Sequence, residues 1–252
     1  MPQIIEAERS IIPSCDCGFG KYMQILEATC DLEGIGAYKI GFSLGLRGGL
    51  MGGLEEVVKE VRLSQISNEL PDNKLKPVIY DHQKGGTDIP DTAKEFASIM
   101  KECGIAAAII FPFTGPTTLK AYVTELRDAG VEPIVGGEMT HNGFLDYNGG
   151  YMSYFSVVNI YRDAANLGVT NFVVPGTKPD RIKFYREMLE HEHPELEPTF
   201  FSPGLGAAQG GSISEASKVA GKRWHAIVGR EIYEKETAEE IRDAVIELAK
   251  QF

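Results

Sequence analysis

The sequence predicts a (β/α)8 barrel, and three observations carry that prediction. Apolar, strand-like runs alternate with longer amphipathic stretches almost from end to end. No low-complexity linker separates two halves. The length, 252 residues, matches the roughly 250 of a typical barrel. The expectation is therefore one barrel domain over residues 1–252. Periodicity alone leaves a doubly wound open sheet as the alternative, because both folds alternate strands and helices.

The expected strands, in order, are "SIIPSC" (10–15), "AYKIGF" (37–42), "KPVIYD" (76–81) and "IAAAIIF" (105–111), then "EPIVGG" (132–137), "NFVVPG" (171–176), "PTFFSP" (198–203) and "HAIVGR" (225–230). Helical segments between and after them include "DTAKEFASIMKECG", "TTLKAYVTELRDAG", "DRIKFYREMLEHE" and "TAEEIRDAVIELAKQF". In the last of these, Ile241, Val245 and Leu248 recur at helical spacing while Glu239, Glu240, Arg242 and Glu247 fill the other face. Glycine after "EC" and after "DA" suits a left-handed cap at the helix end. Beyond the strand–helix rhythm there is no 20–50-residue repeat.

Composition narrows the function classes. Hydrophobic residues make up 43% of the chain, enough for a sizeable core. A formal charge of −11 argues against a general nucleic-acid binder, whose footprint is a basic patch. It leaves room for a small anionic substrate, since a pocket concentrates positive charge locally. No apolar run reaches the ~18 residues of a membrane span, and "MPQIIEAERS" lacks the basic-then-apolar order of a secretory signal. Cys15, Cys17, Cys30 and Cys103 show no framework spacing, so a reduced, cytoplasmic protein is expected. Cys15 and Cys17 have no second Cys/His pair at zinc-site spacing and read as strand-end cysteines. "HEHPE" reads as a polar helix end, and Trp224 and the aromatics of "GYMSYFSVVNIY" read as packing.

In a parallel barrel, functional groups gather where strands end. Here those positions hold Asp16, Lys39, Asp81 with Lys84, Glu138 with Thr140, Thr177 and Arg230. Charges at such places must reach water or pair, because burying one alone costs several kcal/mol. A mouth of alternating Asp and Lys meets both needs and sets up a fixed electrostatic field. Glycine-rich "SPGLGAAQGG" (202–211) follows the seventh run, and "VGREIY" (228–233) ends the eighth. Loops after the last two strands are the usual phosphate site of a barrel. Gly210 and Gly211 let the backbone approach an anion, Gln209 donates amide hydrogens, and Arg230 offers a bidentate fork.

These residues, in this order, resemble the orotidine 5'-phosphate decarboxylase family, over most of the chain from Asp16 to Tyr233. The family carries a lysine on its second strand and Asp-x-Lys-x-x-Asp-Ile-Pro after its third. Here Lys39 and "DHQKGGTDIPDT" stand at those places, followed by "GEMT", "PG…QGG" and "VGREIY". The resemblance implies decarboxylation of orotidine 5'-phosphate to uridine 5'-phosphate, with no metal or cofactor. It assigns Lys39, Asp81, Lys84 and Asp88 to a charge network in which Lys84 protonates C6. Asp16 then binds the ribose, and Thr140 contacts the pyrimidine where serine is more usual. Pro203, Gln209, Gly210, Gly229 and Arg230 fall in the motifs on the phosphate side. The implied assembly is a homodimer in which Asp88, with Ile89 and Thr92 beside it, enters the neighbour's site.

The chain departs from the family at the central motif, with one extra residue before Lys84 and another after it. On a regular strand, residues three apart face opposite ways, so Asp81 and Lys84 meet only across a bulge. The other register puts His82 at the aspartate position; Asp81 is preferred because a neutral histidine breaks the charge alternation. Two further readings remain. Mg-dependent sugar-phosphate enzymes, such as hexulose-phosphate synthase or keto-gulonate-phosphate decarboxylase, share the Asp-x-Lys-x-x-Asp element, but a cation at Lys39 repels Mg²⁺. A non-catalytic phosphate-binding barrel is the third.

Overall fold

The computed structural model describes residues 3–48, 53–71, 74–207 and 209–252, with the side chains of 83–85 outside the description. Eight strands form one sheet: β1 (Arg9–Pro13), β2 (Tyr38–Gly41), β3 (Val78–Gly85), β4 (Ala107–Ile110), β5 (Glu132–Gly136), β6 (Asn171–Val173), β7 (Thr199–Ser202) and β8 (Arg223–Val228). Neighbours run parallel in the order β1-β8-β7-β6-β5-β4-β3-β2. The two ends of that order meet through parallel bridges Ile11–Ile35 and Ser14–Lys39, and Cys15 N donates to Lys39 O at 2.8 Å. The sheet is thus a barrel and not the open alternative. Each strand lies within or overlaps a run expected from sequence.

Helices return the chain between strands: α1 (Phe19–Thr29), α2 (Phe42–Gly48), α3 (Leu54–Ser67), α4 (Ala93–Glu102), α5 (Pro116–Ala129), α6 (Tyr154–Asn166), α7 (Pro179–Glu192), α8 (Ile213–Val219), α9 (Arg230–Tyr233) and α10 (Ala238–Ala249). Helix α10 begins with a reciprocal cap: Glu240 N donates to Thr237 Oγ1 at 3.2 Å, and Thr237 N to Glu240 Oε2 at 3.0 Å. It buries Ile241, Val245 and Leu248, the stripe read from the sequence. Helix α5 stops at Gly130, whose φ of +80° is a conformation that glycine adopts without strain. Among the described residues, no helix is long and apolar enough to cross a membrane.

Apolar side chains fill two layers. Tyr22, Leu26, Leu126, Tyr161 and Tyr185 lie in the shell between strands and helices, while Ile12, Ile79, Ile109, Ile134, Phe201 and Ile227 fill the barrel. At the N-terminal end of the strands the barrel is plugged. Arg223, buried and inward, donates to the carbonyls of Ile5 (2.6 Å) and Ala7 (3.2 Å), strapping the N-terminal segment across the opening. One step above it, His225 Nδ1 lies 2.8 Å from Ser10 Oγ. Burial, and to a lesser degree the Arg223 charge, push this imidazole down to about 3, so it is neutral in the folded protein. With that end closed, the strands' C-terminal ends are the open face.

Candidate active site

A pocket at the C-terminal ends of the strands is lined by Asp16, Lys39, Asp81, Glu138, Thr140, Pro203, Gln209 and Gly229, with Ser14, Phe111, Met139 and Tyr233. Lys39 is its electrostatic centre. The side chain is only 4% exposed, and its ammonium lies 3.2 Å from Asp16 Oδ2 and 3.3 Å from Asp81 Oδ2. Burial alone would pull this lysine down. The charges of Asp81 and Asp16, with their hydrogen bonds, outweigh burial and raise it above its ordinary value.

Each member lies within its strand or a few residues past its end. Ser14, two residues before Asp16, donates to Asp16 Oδ2 at 2.7 Å. Asp16 Oδ1 is buried and has no hydrogen-bond partner among the described residues. That carboxylate lies over Gly41 at the end of β2, where a Cβ would collide with Oδ1. Asp81 ends the regular part of β3. Its Cα pairs with Ile109 of β4, yet the next residue of β4, Ile110, pairs with Gly85. Residues 82–84 therefore form a bulge where the sequence carries its lengthened motif. Asp81 is the member that reaches Lys39, whereas His82 is exposed and places Nδ1 2.7 Å from the Tyr80 hydroxyl. Lys84 lies in the bulge, with its side chain outside the description.

Beyond the bulge, the chain carries Asp88 away from this pocket. Asp88 is exposed; its carboxylate accepts from Ile89 N at 2.7 Å, and its carbonyl accepts from Thr114 Oγ1 (3.0 Å) and Thr118 Oγ1 (3.1 Å). Ile89 is 59% exposed, and Thr92 is tied to Tyr122 OH at 2.9 Å. These three residues do not line the pocket of their own chain.

On the opposite wall, the β7–α8 loop folds on itself. Gly206 N donates to Gly211 O (2.8 Å), Gly211 N to Gly204 O (3.2 Å), and Gln209 and Gly210 both donate to Gly206 O. Glu231 of α9 accepts from Ala207 N at 2.5 Å, which joins this loop to the segment carrying Gly229 and Arg230. Gln209 and Gly229 line the pocket; Gly210 and the half-buried Arg230 stand outside the lining. The Arg230 guanidinium forms no hydrogen bond or ion pair with the described residues.

Sequence reasoning missed Ser14, Tyr233 and the apolar wall of Ile109, Phe111, Met139, Val173 and Ile227. Ser14 was within reach of a period-two reading from Asp16. The apolar wall carries no signal that separates it from ordinary core.

Fold and site together define a class: a (β/α)8 barrel whose open end holds a buried lysine between two carboxylates, facing a glycine-rich loop. The family model described as "Orotidine 5'-phosphate decarboxylase / HUMPS family" matches residues 22–244. An orotidine 5'-phosphate decarboxylase of Methanosarcina mazei is 30% identical over 219 residues, covering 87% of this chain and 84% of that protein. One from Pyrococcus abyssi is 35% identical over 162 residues, covering 63% and 69%. The structure of Methanocaldococcus jannaschii orotidine 5'-monophosphate decarboxylase complexed with inhibitor BMP superposes with a TM-score of 0.75 at 23% identity, covering 96% of this chain and 98% of that one; at that identity it speaks to the fold. The chain belongs to the orotidine 5'-phosphate decarboxylase / HUMPS family.

Proposed function

We propose that this protein decarboxylates orotidine 5'-phosphate to uridine 5'-phosphate through a metal-free network of Lys39, Asp81, Lys84 and the partner chain's copy of Asp88. The observation that carries the reading is the Lys39 ammonium, buried between Asp16 and Asp81 at 3.2 and 3.3 Å. It favours the decarboxylase over the Mg-dependent branch, because a cation already stands between the two carboxylates that a divalent ion would need.

Loss of CO₂ from C6 leaves a carbanion with no conventional electron sink. An ammonium fixed beside C6 stabilises that charge and then supplies the proton, the role given to Lys84. Lys39, 3.3 Å from Asp81 Oδ2, holds that side chain near the departing carboxylate. Asp16, held by Ser14 and Lys39, lines the pocket and binds the ribose. Thr140 meets the pyrimidine. Gln209 and Arg230 hold the 5'-phosphate, beside Pro203, Gly210 and Gly229. Binding the phosphate far from C6 supplies energy that orders the reacting end. Asp88 is exposed and does not line its own pocket, which fits a homodimer whose subunits exchange Asp88, Ile89 and Thr92; we place this enzyme in the cytoplasm.

The test is the loss of orotidine 5'-phosphate absorbance with EDTA-treated protein and with Lys84→Ala. Turnover that survives EDTA and vanishes in the variant is the expected result. Turnover that requires added Mg²⁺ would favour the sugar-phosphate branch. Tight binding of uridine 5'-phosphate without turnover would favour a binding barrel.

A further inference from the structure

Among the described residues, Glu138 is the only buried carboxylate, with a side chain 0% exposed. It stands two residues past the end of β5 and borders the pocket, yet its carboxylate is engaged by the start of α7. Lys178 Nζ lies 3.1 Å from Oε1; Arg181 Nε (2.7 Å) and Tyr185 OH (2.5 Å) donate to Oε2. Arg181 is in turn held over the rings of Tyr154, Phe184 and Tyr185 at 4.7–4.9 Å. Burying such a group is expensive, and an apolar contact would join β5 to α7 as well. The bonds that surround it suggest a more particular task.

Strand β5 ends at Gly136, so residues 137–140 leave the sheet without its ladder. Side chains from the next two units supply the missing partners. Tyr161 OH accepts from Gly137 N and Glu138 N, both at 3.1 Å, and donates to Val173 O at 2.8 Å. Lys178 Nζ donates to Met139 O at 2.8 Å, and Thr177 Oγ1 to Thr140 O at 3.1 Å. Each of the four residues in the turn is thereby fixed from outside it. The Thr140 methyl then lies so close to Gly204 that no side chain fits there.

We propose that Glu138 is a positioning residue, which holds Lys178 against the 137–140 turn so that Thr140 meets the base of the bound nucleotide. This rests on the reading above, in which Thr140 contacts the pyrimidine. Lys178 is the place to test it, since Lys178→Met keeps the stem and leaves Glu138 its bonds to Arg181 and Tyr185. The probes are uridine 5'-phosphate and ribose 5-phosphate, which differ by the base, titrated by calorimetry into wild type, Lys178→Met and Lys178→Arg. In Lys178→Met, affinity for uridine 5'-phosphate is expected to fall about tenfold while that for ribose 5-phosphate stays within about twofold. Lys178→Arg, able to bond both Glu138 and Met139 O, should restore most of the loss. Equal weakening of both ligands, or a lower melting temperature with neither affinity changed, would make the cluster structural only and overturn the inference. Failure of wild type to bind uridine 5'-phosphate would instead overturn the functional reading, and this inference with it.

Discussion

Asp81 and Gly85 stand opposite consecutive residues of β4, Ile109 and Ile110, although three residues separate them. The bulge explains how a motif with two extra residues fits the barrel. Upstream, Asp81 keeps the inward face and its 3.3 Å contact with Lys39. Downstream, the chain has regained its place beside β4 at Gly85. Gly86 then turns with φ +82°, its α-carbon so close to Ile110 that a Cβ would lie 3.1 Å from the isoleucine side chain. An insertion taken up in this way bends one strand end and leaves the other seven undisturbed.

The bulge is fastened at its start by the 2.7 Å contact between Tyr80 OH and His82 Nδ1. Tyr80→Phe removes that bond and keeps the buried ring. A displaced reacting group costs far more rate than a single bond costs stability. The kcat for orotidine 5'-phosphate is therefore expected to fall about tenfold, with KM and melting temperature nearly unchanged. An unaltered kcat would mean that this contact does not set the course of the bulge.

Much of this was legible in the sequence. Continuous apolar runs marked all eight strands, and the charges at their ends marked Lys39, Asp16 and Asp81 as one site. The spacing around Lys84 announced that β3 had to depart from regular geometry. Where it departs was not legible, because periodicity does not say which residue leaves the ladder. Glu138 shows the same limit: it is a charged residue at a strand end in sequence, but only packing reveals that its carboxylate belongs to α7. Strand β6 is three residues long, Asn171–Val173, against the six expected, since the Pro175 nitrogen has no hydrogen to donate.

Lys39 ties the site to stability. Lys39→Met leaves Asp16 and Asp81 facing each other without their shared cation, and is expected to destabilise the fold by ~3 kcal/mol near pH 8 as well as abolish turnover. The folded-state pKa of Lys39 is raised above the ordinary 10.5. Its contribution is therefore fully present below the unfolded value near 10.4 and is lost as pH rises through the higher folded value. Urea unfolding at pH 8, 10 and 11 should show the difference between wild type and variant intact at pH 8 and beginning to shrink only at the alkaline end. A difference that stays constant to pH 11 and beyond, or is absent at pH 8, would contradict this account.

Gly41 is a steric requirement of Asp16. Gly41→Ala places a methyl group on Asp16 Oδ1, so the carboxylate must leave its place between Ser14 and Lys39. KM for orotidine 5'-phosphate is expected to rise at least about tenfold, as expected when a bond to a charged group is lost. Gly18→Ala is the control, because a Cβ there meets nothing within 4 Å. If both variants bind alike, Asp16 does not hold the substrate.

Asp88 gives the sharpest test of the assembly. Its loop is fastened to its own chain through the bonds from Thr114 and Thr118 to its carbonyl, which leaves the segment from Asp88 to Ile89 facing solvent. If Asp88 completes a neighbouring site, Lys84→Ala and Asp88→Ala each empty every site when expressed alone. Co-expressed in equal amounts, random pairing makes about half the dimers mixed, since a two-fold dimer exchanges the same surfaces. Each mixed dimer carries one site with both substitutions and one with neither. About a quarter of all sites are then intact, and about a quarter of wild-type turnover should return. Activity that stays at the level of the single variants would mean that Asp88 serves its own chain, and the exchange of residues between subunits would have to be abandoned.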